Sequence, residues 1–147
     1  MAAAMKDRYA AAGKERPNKT FEKYPKFGKG DYTLKCLGFR KGDGKYGVFY
    51  VADFEVLASS NTAEHPVGSF ASWDTKPDKA GFAEVMGDFL ATFAGVNLFE
   101  AEAIEQAADE LAEDCSRAVG QTGLATVKFG KNTKGNPPRL VNFGQPA

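Results

Sequence analysis

"GDYTLKCLGFRKGDGKYGVFYVADFEVL", residues 30–57, decides the fold. Two long runs rich in Tyr, Val, Phe and Leu flank "KGDGK", and such runs separated by a Gly-Asp-Gly turn spell a β-hairpin. After the loop "NTAEHP" (61–66), "VGSFASWD" (67–74) reads as a shorter third strand, and the Pro-Asp pair of "TKPDK" (75–79) predicts a helix start. Phe82, Val85, Met86, Phe89, Leu90 and Phe93 then recur at spacings of three and four, the core stripe of an amphipathic helix. Gly95 predicts its end, and Asn97 with Glu100 three residues on predicts a capping box for a second helix. That helix has an apolar stripe of Ile104, Ala108, Leu111 and Cys115, with Glu102, Glu105, Asp109 and Glu113 elsewhere around it as a solvated face. "GQTGLATVKFG" (120–130) and "RLVNFG" (139–144) predict two last strands around the loop "GKNTKGNPP".

A chain of 147 residues fits one domain and can bury a core without disulfides or metal. No apolar run approaches the roughly 20 residues that span a bilayer, so no membrane partner is expected. "MAAAMKDRYAAAGKERPNK" scatters charges among its alanines and has no apolar signal region, so the expected location is the cytoplasm. Cys36 and Cys115, far apart in apolar patterns, are expected as small buried thiols. Residues 1–26 read as a separate arm, partly helical at its alanines, and residues 27–147 as the folded domain, with a helical insertion at about 78–118.

The formal net charge of zero conceals a segregation. Residues 1–48 carry twelve Lys or Arg against five acids, residues 74–115 two against eleven, and residues 116–147 five against none. Basic ends around an acidic middle suggest a polyanion-binding face opposite an acidic face turned to solvent or to a partner. Enzymatic chemistry lacks its parts. His65 is the one histidine, with no Cys or His at metal-ligand spacing, so neither a zinc site nor a serine triad can be assembled. "GDGKYG" (42–47) matches a dinucleotide-binding pattern but turns one strand into another instead of opening a helix. No enzyme, cofactor or metal is expected.

Five strands with a helical connection between the third and fourth is the succession of the OB-fold, whose ligand surface comprises strands 2 and 3 and the loops joining strands 1 to 2 and 4 to 5. The chain resembles the small OB-fold single-stranded DNA-binding proteins encoded by bacteriophages. "GDYTLKCLGFRKGDGKYGVFYVADFEVL", "VGSFASW" and "GLATVKFGKNTKGNPPRLVNF" carry the likeness, over roughly residues 28–74 and 120–144. It implies a mainly β (α+β) fold, a five-stranded OB-type Greek-key barrel with an enlarged helical insertion between strands 3 and 4. It also implies a bacteriophage protein that coats single-stranded DNA with little sequence preference during DNA replication or recombination. Bacterial members of this class end in an acidic tail, whereas this sequence ends "VNFGQPA", and about forty helical residues stand where a minimal barrel has one short helix.

Within such a barrel the first binding loop supplies Arg40, Lys41 and Lys45, and the second Lys131, Lys134 and the adjoining Lys128 and Arg139, with Asn132 and Asn136 offering amide donors. Each cation that pairs with a phosphate releases condensed counterions, with a salt slope of roughly −0.7 per contact on a single strand. The two turns are expected to converge at one rim of the closed sheet. Period-two alternation from Asp53 and Glu55 puts Phe49 and Val51 outward and Val48, Tyr50, Ala52 and Phe54 inward. In strand 1 the side of Lys35 also bears Thr33, Leu37 and Phe39. Phe39, Phe49, Trp73 and Tyr46 are therefore the expected stacking aromatics, while Phe54, Phe70 and Phe129 are expected in the core. Asp53 and Glu55 either lie beyond the ligand track or pair with neighbouring lysines. "KTFEKYPKFGKG" (19–30) fits equally an arm that embraces a DNA strand and a strap that closes the barrel. Alternatives are an RNA-binding OB domain, or a viral or host-takeover interaction module whose acidic helices are the working surface. Further partners are a second copy in a homodimer, and a replication or recombination protein docked on the acidic helical segment.

Overall fold

The computed structural model describes residues 24–45, 47–78, 81–129 and 139–145. β1 (Gly30–Gly44), β2 (Gly47–Ser59) and β3 (Phe70–Thr75) form an antiparallel meander. A helical segment follows, then β4 (Thr122–Phe129) pairs along the other side of β1, and β5 (Arg139–Gly144) lies beyond β4. The result is a mainly β architecture, one five-stranded antiparallel sheet of order β3-β2-β1-β4-β5 with two helices. Among the described residues no ladder joins β3 to β5, so the sheet is open, where a closed barrel was expected. Part of the reason lies at the β3 edge, which an upstream strap occupies. Ser72 N–H donates to the Pro25 carbonyl at 2.8 Å, and Lys26 pairs with Ser72 in parallel. Residues 24–27 thus behave as a strap; residues 1–23 lie outside the described residues.

The first hairpin turns later than its glycines suggest. Gly44 pairs with Gly47, so "GDG" belongs to β1 and only positions 45 and 46 connect the strands, the commonest hairpin length. Gly44 is needed for a close approach, since a Cβ there would stand 3.0 Å from the Phe49 ring.

Two register shifts bend β1 and β2. One leaves Leu57 without a partner between Thr33↔Ala58 and Leu34↔Val56; the other leaves Leu37 unpaired between Cys36↔Phe54 and Gly38↔Asp53. Each inserts an extra residue and increases the local twist, which curls a sheet around what it covers.

The covering element is α1 (Phe82–Phe89), continued by a π-helical turn (Leu90–Ala94) that ends at Gly95, whose φ of 70° is the left-handed cap that glycine favours. The Pro-Asp start expected at 77–78 is displaced to a Gly81 cap. Phe82, Met86, Phe89, Leu90 and Phe93 are buried as the spacing predicts, and Val85 is half-buried. Phe89 is the hub, with ring centroids 5.1 Å from Phe39, 5.3 Å from Trp73, 5.2 Å from Phe93 and 5.6 Å from Phe143. The edge strands face each other across this core, Trp73 of β3 lying edge-on to Phe143 of β5 at 5.0 Å.

α2 (Ala101–Glu113) buries Ile104, Ala108 and Leu111. The expected capping box does not form. Glu100 is the cap, no side chain bonds there, and residues 95–99 carry no regular structure. Cys36 is fully buried, which pushes its thiol up to about 12, and Cys115 is half-buried; neither forms a disulfide. Among the described residues no helix is long and apolar enough to cross a membrane.

Candidate nucleic-acid interface

The pairing register sorts the side chains into two faces. On the concave face, Phe39 sits opposite Ala52, and Ala52 opposite Trp73. Phe39 is 3% and Trp73 6% exposed, so neither is a stacking platform. The Leu37 bulge is the cause for Phe39. It adds one residue between Lys35 and Phe39 and flips the ring from the outer side to the core. For Trp73 the cause is its register opposite Ala52, whose neighbours Tyr50 and Phe54 are fully buried.

The outer face reads in rows. Phe70, Glu55, Lys35 and Thr122 lie side by side across four strands, then Ser72, Asp53 and Gly38, then Asp74, Val51 and Arg40. Phe70 was expected in the core. Parity turns it outward because Ala71, Trp73 and Thr75 point inward, and it is 42% exposed. Its ring stacks on Tyr24 of the strap, centroids 5.1 Å apart and planes 26° from parallel. Phe129, also expected in the core, is 43% exposed, since β4 carries it past the last buried pair to the base of the second hairpin. Phe49 keeps its outer parity but is half-buried, its ring over Gly44. Val51 shares that side and is fully buried.

The cations of this face are held by carboxylates. Arg40 donates to Asp53, which is buried and also accepts from Ser72 Oγ at 2.6 Å; Ser72 Oγ in turn accepts from the Tyr24 N–H at 3.2 Å. This chain of bonds ties β1, β2, β3 and the strap together. Lys35 lies 3.7 Å from Glu55, and Lys26 lies 3.5 Å from Asp74. Glu55 therefore pairs with a neighbouring lysine, the second of the two alternatives, whereas Asp53 is held by Arg40 where a lysine was expected. Lys41 points the other way. It sits opposite Tyr50 on the concave side and bonds Asp109 of α2 at 2.9 Å, 5.9 Å over the Tyr50 ring.

The bases of the two hairpins lie at different points along β1. β4 runs antiparallel to β1 with Val127 opposite Gly30, so the base of the second hairpin, Phe129 opposite Arg139, lies at the start of β1. The first turn lies at its end, past Gly44. Fourteen steps of strand separate Gly30 from Gly44, roughly 45 Å of path before bending. The expected convergence of the two turns falls on residues 130–138, outside the described residues; only the base of the second hairpin is placed, beside the start of β1. Lys45 and Lys128 are exposed at opposite ends of this span. Tyr46, Lys131, Asn132, Lys134 and Asn136 lie outside the described residues, as does the side chain of Arg139.

His65, the one histidine, is buried against the strap. Its Nε2 accepts the Gly28 N–H at 2.9 Å, its ring lies 5.5 Å from those of Phe27 and Tyr32, and burial holds it below its ordinary pKa. Among the described residues no three His, Cys, Asp or Glu side chains gather as a metal-binding group. The exposure of Phe70, stacked on Tyr24, is the feature that sequence reasoning missed. Extending the alternation of β3 outward from an inward Trp73 would have found it. The chain matches no protein-family model and no curated protein.

Proposed function

We propose that this chain is a single-stranded DNA-binding protein of the OB type, non-catalytic and largely indifferent to sequence, acting in replication or recombination. The strand order β3-β2-β1-β4-β5, the helical segment between β3 and β4, and the Trp73–Phe143 contact between edge strands are features an OB barrel would have. The observation that carries the reading is the exposed Phe70 on the outer face of β3, stacked on the half-buried Tyr24 of the strap and bordered by Lys26 and Lys35. A base stacked on an aromatic ring gains about 1–3 kcal/mol whatever its identity. Phosphates on either side exchange with Asp74 and Glu55 for the lysine ammonium groups, so the face stays neutral until a polyanion arrives. The ligand track runs along this face between the first hairpin and the base of the second, with Lys45 at one end and Lys128 at the other.

Titration of a fluorescein-labelled oligo-dT by anisotropy tests this. Affinity is expected to fall as salt rises, and Phe70→Ala to weaken it roughly 5- to 150-fold, the loss of one stacked base. No binding at low salt, or Phe70→Ala binding like the parent, would refute the assignment. Competition between matched DNA and RNA oligomers decides between the two polymers.

A further inference from the structure

α1, residues 95–99 and α2 enclose a groove of about 270 Å³ on the helical layer. Ala83, Gly87 and Ala91 form one wall, Leu98 and Phe99 the other, and Ile104 the end. Gly87 lets α1 approach Ile104 of α2 closely, since a Cβ there would come 3.3 Å from Ile104 Cδ1. Phe99 is 94% exposed at the lip, so a large apolar ring stands in water beside an apolar slot. An exposed aromatic next to a groove is the arrangement of a docking anchor, whereas scattered single apolar residues are ordinary surface.

Charge selects the occupant. Glu84 and Asp88, one turn apart on α1, line the same groove, and like charges at that spacing destabilise a helix. Burial, and then the Glu84 charge, hold Asp88 above its ordinary pKa. Glu100 and Glu102 follow just past the lip, both exposed. A nucleic acid is repelled here, and a second copy would bring the same four carboxylates against these. A cationic segment instead relieves the Glu84–Asp88 repulsion. We propose that this groove docks a basic amphipathic helix of another protein, an apolar anchor seated against Phe99 and Lys or Arg groups on Glu84 and Asp88. The site lies across the core from the outer sheet face, so one molecule can hold DNA and this partner together. The proposal stands independently of the DNA reading.

The probe is a short, fluorescein-labelled helical peptide of leucine and lysine at i, i+3 and i+4 spacing, paired with a twin carrying glutamate for lysine. The lysine peptide is expected to bind saturably, and Phe99→Ala to weaken it by roughly tenfold or more. Glu84→Gln with Asp88→Asn should weaken it similarly, while Glu113→Gln, exposed and outside the groove, leaves it unchanged. Phe99→Ala removes a ring that packs on almost nothing, so loss of fold is not its expected effect. The proposal is overturned if the lysine peptide does not bind, if the glutamate twin binds as well, if Glu113→Gln weakens binding as much as the groove variants, or if Phe99→Ala binds like the parent. Sedimentation showing a dimer that Phe99→Ala dissolves would assign the groove to a second copy instead. Oligo-dT binding measured on the same variants should not change, which separates failure of this site from failure of the sheet-face assignment.

Discussion

Removing the Tyr50 hydroxyl tests how the helices are fastened to the sheet. Tyr50 is fully buried, and its hydroxyl donates to Asp109 Oδ1 at 2.5 Å; Lys41 Nζ donates to the same oxygen at 2.9 Å. The two bonds look alike but differ in surroundings. The Lys41 and Asp109 side chains are 39% and 40% exposed, so solvent screens that pair and its worth is about 0–1 kcal/mol. The phenol has no water to fall back on, and a hydrogen bond to a charged group is worth roughly 1.5–3 kcal/mol. Burial, then the Asp109 bond, raise the Tyr50 pKa. Burial pulls the Asp109 carboxyl upward, but the bonds from Tyr50 and Lys41 outweigh it and hold it low. Because that folded pKa lies below the ordinary 3.8, the contribution is complete at neutral pH and is lost only as pH falls through the lowered value. Tyr50→Phe should therefore cost about 1.5–2 kcal/mol in urea unfolding and Lys41→Met under about 1 kcal/mol. In double-mutant cycles with Asp109→Asn, the Tyr50 coupling should exceed the Lys41 coupling by about 1 kcal/mol. A larger coupling for Lys41, or none for Tyr50, would show that exposure does not rank these bonds.

Further outcomes are expected from the core and the strap. Gly123→Ala places a Cβ 2.9 Å from Phe93 Cζ and against Thr92 Cγ2, so overpacking should lower stability by about 1–3 kcal/mol in thermal or urea unfolding. Phe89→Ala empties the hub of the aromatic cluster and should cost about 3–5 kcal/mol by the same measurement. His65 has a folded pKa below its unfolded 6.5, so its contribution is complete above that value and declines as pH falls from about 6.5 toward the folded pKa. The urea midpoint should drop between about pH 7 and pH 5, and His65→Asn should remove that part of the pH dependence.

Element order, the six-residue stripe of α1 and the three buried positions of α2 were legible because periodicity reports burial directly. What failed depends on pairing. One unpaired Leu37 moves Phe39 from surface to core, and the only trace of the bulge in "KCLGFRK" is Gly38 beside it, a glycine inside a strand. Phe70 and Phe129 are ordinary strand phenylalanines by composition; their exposure follows from register and from where the core stops. Asp109 looked like one more solvated acid on an acidic helix, since the Tyr50 and Lys41 that claim it lie about sixty residues upstream. Likewise, the placement of the base of the second hairpin follows from the antiparallel β1–β4 ladder, which joins segments some ninety residues apart.

That ladder also sets the order in which the chain can mature. The β1–β2–β3 meander and its strap are complete once residue 75 has left the ribosome, yet β1 stays a bare edge until β4 arrives some fifty residues later. Through that interval a strand destined for the centre of the sheet is open to pairing with any neighbouring polypeptide, and the helices emerging meanwhile must cover the concave side before β4 can dock. Slowing synthesis across residues 76–121 is therefore expected to lower the yield of folded protein.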